Sequence, residues 1–177
     1  MRFLLLTTLL WLGQLCYATT SVHARAPAGT AKVYSAMQPD LVDHVYTINK
    51  TELNFLISYY GFKLEGKDPD GTTTGFIHTS PQPSTVPLFR LYAIGRTDHL
   101  LTTSTEERDL AVKRLGYHLE GVLGYAYTEE GEGLVPFYRL HNSGAHDHYY
   151  TSSKEESEDA ARNGWVNEGI VGYLFAS

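Results

Sequence analysis

The sequence predicts an α+β fold: three strand–strand–helix–strand repeats closed about a pseudo-threefold axis, in the manner of a propeller. Three observations predict it. Asp-His recurs at Asp43-His44, Asp98-His99 and Asp147-His148. A glycine follows each pair (Gly61, Gly116, Gly164), and then Glu-Gly at Glu65-Gly66, Glu120-Gly121 and Glu168-Gly169. Between pair and glycine stands a helix-start signature: Asn49-x-x-Glu52, Ser104-x-x-Glu107 and Ser153-x-x-Glu156. Self-similarity at a fixed period marks a repeat architecture. Units of about fifty residues are too small to bury a core alone, so they must close on one another.

The elements follow in order. Phe3 to Leu15 is apolar after Met1-Arg2 and ends in Cys16-Tyr17-Ala18. That is a signal peptide over 1–18, too short in its apolar core to span a bilayer. Val22-His23-Ala24 is a second possible cleavage site. Residues 19–31 are small and polar and read as a disordered leader. The folded domain runs from 32 to 177, with repeats at 32–85, 86–134 and 135–177. The second and third open alike, on Val86-Pro87-Leu88-Phe89-Arg90-Leu91 and Val135-Pro136-Phe137-Tyr138-Arg139-Leu140. The first has Ser35 in place of the arginine and Lys32 in place of the proline. It also carries an insertion, Lys67 to Thr72, of turn-like composition.

Within each repeat the opening apolar run is a strand. A polar turn leads to Asp-His, and a second strand ends in Tyr46-Thr47, Leu101-Thr102 or Tyr150-Thr151. The Asn or Ser of the signature caps a helix, with the glutamate reaching back to it. The glycine suits a left-handed C-terminal cap. Leu53, Leu56, Ile57 and Tyr60 give the first helix an apolar face, as Ala111, Val112 and Leu115 do the second. Strand segments then close the unit.

Composition bounds the function. The formal net charge is −6, which argues against nucleic acid or an anionic membrane as partner. The only cysteine, Cys16, lies in the signal peptide, so the secreted domain is held by its core without disulfides. Thirteen tyrosines suit sugar or protein contacts, each combining a stacking face with a hydrogen-bonding tip. The expected catalytic set is empty. The mature chain has no cysteine nucleophile, Gly-x-Ser-x-Gly elbow, His-Glu-x-x-His or phosphate loop. No metal or cofactor is assigned. Three histidines meeting on the axis would make a zinc site, but adjacent Asp-His lacks ligand spacing.

The Asp-His pairs admit two readings. As scaffold, the aspartate caps its turn or pairs with Arg90 or Arg139, and the histidine packs locally. Asp43 would then need a partner other than arginine. As a site, Arg90, Tyr92, Asp98 and His99 line one ligand-binding patch. Arg139, His141, Asp147, His148 and Tyr149 line another. Acids and aromatic rings together suit sugars, and repeated weak copies gain by multivalency. Asn49-Lys50-Thr51 is a glycosylation sequon, with Asn49 the acceptor.

The compound pattern Pro-Leu-Tyr-Arg-Leu, Asp-His-Tyr-Tyr-Thr, Gly-Tyr and Glu-Gly resembles a repeat family of unknown function. That family occurs in secreted fungal and bacterial proteins, sometimes appended to hydrolases. The resemblance covers Val33 to Phe175 and implies secretion and a non-catalytic accessory role. The expectation is a secreted, extracellular, monomeric recognition module for a glycan or cell-wall polymer. The alternative is a protein–protein module, such as a secreted inhibitor or host-directed factor. Metal binding and glycoside hydrolysis rank below both.

Overall fold

The computed structural model describes residues 26–65 and 72–177. The expected signal peptide lies outside these residues, as does the body of the inserted loop. The first repeat folds as β1 (Thr30–Gln38), β2 (Asp43–Thr47), α1 (Lys50–Tyr60), β3 (Lys63–Leu64) and β4 (Thr72–His78). The second is β5 (Thr85–Ala93), β6 (Asp98–Thr102), α2 (Thr105–Arg114) and β7 (His118–Tyr127). The third is β8 (Leu134–Asn142), β9 (Asp147–Thr151), α3 (Lys154–Arg162) and β10 (Val166–Phe175). β1 starts two residues before the boundary read from sequence. There the Thr30 hydroxyl donates to Pro27 O at 2.7 Å.

Helix starts follow the capping residues. Asn49 Oδ1 accepts from the amides of Thr51 and Glu52, Ser104 Oγ from Glu107 and Ser153 Oγ from Glu156. The expected reach of each glutamate back to the cap amide is replaced by another device. The cap amides donate to Thr47, Thr102 and Thr151 Oγ1, each at 3.0 Å. The same hydroxyls of Thr47 and Thr151 donate to Glu52 and Glu156. The glutamates are thereby left facing outward, where arginines reach two of them. Gly61, Gly116 and Gly164 adopt φ of 74°, 75° and 93°, the left-handed conformation that ends a helix. The helix faces differ from expectation. Leu53 and Ala111 are buried, but Tyr60, Val112 and Leu115 are exposed.

The closed, propeller-like α+β arrangement is corrected by the strand pairing. Of the described residues 48% are strand and 21% helix, and the ten strands among them form one open, antiparallel sheet. The pairing path runs β2-β1-β4-β10-β7-β5-β6, with β8 and β9 branching from β10 and β3 pairing with β1. Two physical reasons account for the difference. First, Gly121 and Gly169 do not interrupt their strands. At φ 142° and 102° they sit where the register shifts, as bulges inside the continuous strands β7 and β10. Second, the last strands of the repeats pair directly with one another, so no repeat stands as a separate blade. Single bridges join Phe175 to Phe76, Tyr173 to Tyr127 and His78 to Tyr125.

Those junctions depend on glycine. A Cβ at Gly124 would meet Ile77 Cγ2 at 2.8 Å and His78 O at 2.9 Å. At Gly172 it would meet Ala126 Cβ at 2.9 Å, and at Gly75 it would collide with the Phe175 carbonyl. Beside them lies the main core: Val33, Tyr46, Ile77, Leu88, Leu101, Leu123, Ala126, Phe137, Tyr150 and Leu174. All three repeats contribute. Two tyrosines stitch it internally. Tyr46 OH donates to Tyr150 O at 2.9 Å, and Tyr150 OH donates to Leu101 O at 3.0 Å.

Gly124→Ala is expected to destabilise the protein by about 1–3 kcal/mol through overpacking against backbone. Gly95→Ala, at a position where a Cβ would meet nothing within 4 Å, is expected to shift stability by less than about 0.5 kcal/mol. Urea unfolding of both variants checks this.

Candidate functional site

The three Asp-His pairs begin strands β2, β6 and β9, and the residue before each is left-handed. Val42, Thr97 and His146 have φ of 53°, 54° and 58°, an unfavourable backbone for side chains with a Cβ. All six Asp and His residues are buried. Each histidine bonds an aspartate of another repeat. His99 Nδ1 lies 2.8 Å from Asp43 Oδ1, His148 Nδ1 2.9 Å from Asp98 Oδ2, and His44 Nδ1 2.5 Å from Asp147 Oδ2. The His44 and His148 amides also donate to these carboxylates, and Tyr117 OH donates to Asp98. The contacts form a cycle: second repeat to first, third to second, first to third.

Each Nε2 faces the Glu-Gly glutamate of its own repeat. The distances are 3.3 Å for His44–Glu65, 3.9 Å for His99–Glu120 and 3.8 Å for His148–Glu168. Burial alone pulls His44 down, but hydrogen bonds to Asp147 and Glu65 outweigh it and raise its pKa to about 9. Burial pushes Asp147 upward. The His44 direction governs the pair because that ring faces a second carboxylate. Burial also pushes Asp98 and Glu65 upward, yet their histidine contacts hold both below the ordinary carboxylate range.

The arginines do not pair with the aspartates. Arg90 Nη2 donates to Glu52 of the first repeat at 2.6 Å and its Nε to Glu120 at 2.8 Å. Arg139 Nη1 donates to Glu107 of the second repeat at 2.9 Å. Its Nε lies 2.7 Å from Glu168 Oε2 but is misaligned for a hydrogen bond, so that contact is purely an ion pair. Burial opposes the charge on both guanidiniums, and the glutamates more than restore it. The first repeat has Ser35 here, whose hydroxyl donates to Glu65.

The residues expected to form two ligand patches are thus distributed over the boundaries between repeats. Tyr92 stacks on His99 at 4.4 Å and His141 on His148 at 4.6 Å. Asp98 faces His148 rather than His99. Tyr149 stands apart from His148, packed on His44 (5.1 Å) and Trp165 (5.9 Å). Burial lowers the pKa of His141, and the neighbouring His148 lowers it further. The histidines of the Asp-His pairs do not meet in a common metal site. Among the described residues the potential ligand group is instead His141, His148 and Glu168.

An open groove of about 540 Å³ lies along α3 in the third repeat. Tyr149, Trp165, Glu155, Glu156, Asp159, Arg162 and Asn163 line it. Tyr149 OH donates to Glu156 at 3.2 Å. Trp165 is absent from the residues selected by sequence. The signal that identifies it is alignment: it follows the cap glycine, where Phe62 and Tyr117 follow theirs. Those two counterparts are buried, and Tyr149 is matched by the buried Val45 and Leu100. Asn49, the sequon acceptor, is exposed at the start of α1 beside Arg90 and Glu52.

Urea unfolding tests the His44 assignment. A histidine whose pKa is higher folded than unfolded contributes stability below about pH 6.5, and that contribution is lost as pH rises through the folded value. The stability gap between wild type and His44→Gln is therefore expected to shrink by about 3 kcal/mol from pH 6 to pH 10. A constant gap removes His44 as the proton-binding group.

A family model described as Domain of unknown function (DUF5648) matches residues 10–72 and 32–175. The longer match spans most of the chain, so the chain belongs to this family. No curated protein and no solved structure matches it.

Proposed function

We propose that this DUF5648 member is a secreted, non-catalytic recognition module that binds carbohydrate in the groove beside α3. The observation that carries the reading is the pairing of Tyr149 and Trp165 with the carboxylates Glu155, Glu156 and Asp159 in one open concavity. Aromatic faces pack on the C–H faces of sugar rings, while carboxylates and amides accept from hydroxyl pairs. Glu156, which accepts from Thr151 and Tyr149 of its own repeat, is left without an arginine by a substitution elsewhere. Its counterparts Glu52 and Glu107 are each taken by an arginine of the following repeat. The corresponding position facing α3 is Ser35, which turns instead to Glu65.

This reading places one groove on the molecule rather than three equivalent ones, so a single weak site replaces multivalency. A glycan array, followed by titration of tryptophan fluorescence, tests it. In a chain starting at Thr19, Trp165 is the only tryptophan and reports directly. Trp165→Ala is expected to weaken sugar affinity at least tenfold, and Glu156→Gln several-fold. No response at millimolar sugar, or equal affinity in Trp165→Ala, overturns the proposal.

A second reading, a protein–protein module, rests on a different surface. Phe55, Tyr59 and Tyr60 are exposed on α1, with the Phe55 ring tilted against Tyr59 at 4.9 Å and edge-on to Tyr60 at 5.5 Å. Contiguous exposed aromatics of this kind mark contact surfaces. A pull-down from extracellular fluid lost in Phe55→Ser/Tyr59→Ser, with sugar titration silent, favours this reading over the first.

A further inference from the structure

We propose that the third repeat binds a zinc-class divalent cation between His141, His148 and Glu168. One potential ligand atom from each lies within 4.8 Å of the others. His148 is oriented for the task. Its Nδ1 is engaged by Asp98 at 2.9 Å, leaving Nε2 directed toward Glu168 Oε2 at 3.8 Å. Asp98 is itself held by Tyr117 OH and by the His148 amide. A carboxylate behind a ligating imidazole fixes its tautomer and raises its basicity, the usual outer shell of histidine-bound metals.

The donor set of two imidazoles and one carboxylate suits zinc and its neighbours better than calcium or magnesium. Tetrahedral donors at about 2.1 Å from an ion stand roughly 3.4 Å apart. The group must therefore close by up to about 1.4 Å around an ion. His141 is only half-buried and Glu168 is exposed, so both side chains can make that adjustment. Arg139 opposes a cation, since its Nε lies 2.7 Å from Glu168 Oε2. It is outnumbered, however, by Asp98, Glu107 and Glu168, which leave the patch with net negative charge. Three protein ligands leave a fourth position for water or a ligand oxygen.

The other repeats supply internal controls. Opposite each Asp-His histidine the register places His141, Tyr92 and Met37. The second repeat therefore has the same aspartate, histidine and glutamate, with His99 Nε2 3.9 Å from Glu120, and lacks one ligand. Tyrosine is already accommodated there, stacked on its histidine, which makes His141→Tyr a substitution the fold has precedent for.

The test uses the chain without a polyhistidine tag, incubated with excess zinc, gel-filtered and assayed by mass spectrometry for metal. Wild type is expected to retain about one zinc per chain, as three protein ligands around one ion predict. His141→Tyr is expected to reduce retention at least tenfold, with thermal unfolding in chelator confirming that it folds. Tyr92→His is the converse variant, and a gain of a second zinc supports the proposal. Negligible retention by zinc-saturated wild type, or equal retention by wild type and a folded His141→Tyr, overturns it. None of these readouts depends on sugar binding.

Discussion

The structure depends on a carboxylate–imidazole contact made three times between repeats. Each repeat is too small to stand alone. Its Asp-His pair is the point at which it is fastened to another. The aspartate accepts from the histidine of a different repeat, across 56, 50 and 103 residues of chain. A buried carboxylate left without partners is strongly destabilising, so each aspartate holds its own repeat against the one that supplies its histidine. The left-handed turns at Val42, Thr97 and His146 are part of the same arrangement. Each costs about 1 kcal/mol or more, and each directly precedes a buried, fully engaged aspartate.

The helices are tied into this frame by their third residues. A capping glutamate usually serves its own helix end. Here the threonine hydroxyl takes over that service, and in the first two repeats the glutamate becomes the acceptor for an arginine of the next repeat. One side-chain position thus links helix start, strand end and repeat boundary. Arg90 is held between Glu52 and Glu120, both partly shielded from solvent. A bidentate guanidinium pairing of this kind is directional, so it sets the angle between neighbouring repeats as well as their separation.

Much of this was legible in the sequence, and what was not has physical causes. Repeat boundaries, helix caps and C-terminal glycines are local devices, so spacing alone reveals them. The partner of Asp43 is not local, because no spacing rule connects it to His99. Gly121 and Gly169 look like strand breaks in one dimension and are bulges in two, because only the facing strand shows that pairing continues beyond them. Gly75, Gly124 and Gly172 recur in the sequence, each in the last strand of its repeat. Their reason, contact of one repeat's last strand with another's backbone, appears only when all three repeats are assembled. Closure failed as an expectation for the same reason. The repeat pattern specifies that the units must pack, but not whether their strands stand apart or merge into one sheet.

Symmetry also separates what holds the protein together from what distinguishes one part of it. Among the residues present in all three repeats, the Asp and His are buried and paired between repeats, and the Glu-Gly glutamate faces the histidine of its own repeat. Their recurrence follows from the frame. Departures from that pattern in the third repeat bear on the site. His141 stands where Tyr92 and Met37 stand, Tyr149 where Leu100 and Val45 stand, and Trp165 where Tyr117 and Phe62 stand. The absence of arginine at position 35 adds to these, because the boundary it leaves without an arginine–glutamate pair is the one Tyr149 and Trp165 face. A frame that needs three like contacts constrains the repeated positions and leaves the unlike ones free to acquire chemistry. The polar dipeptide that announces the fold is therefore a poor guide to a ligand, and the positions that break its pattern are a better one.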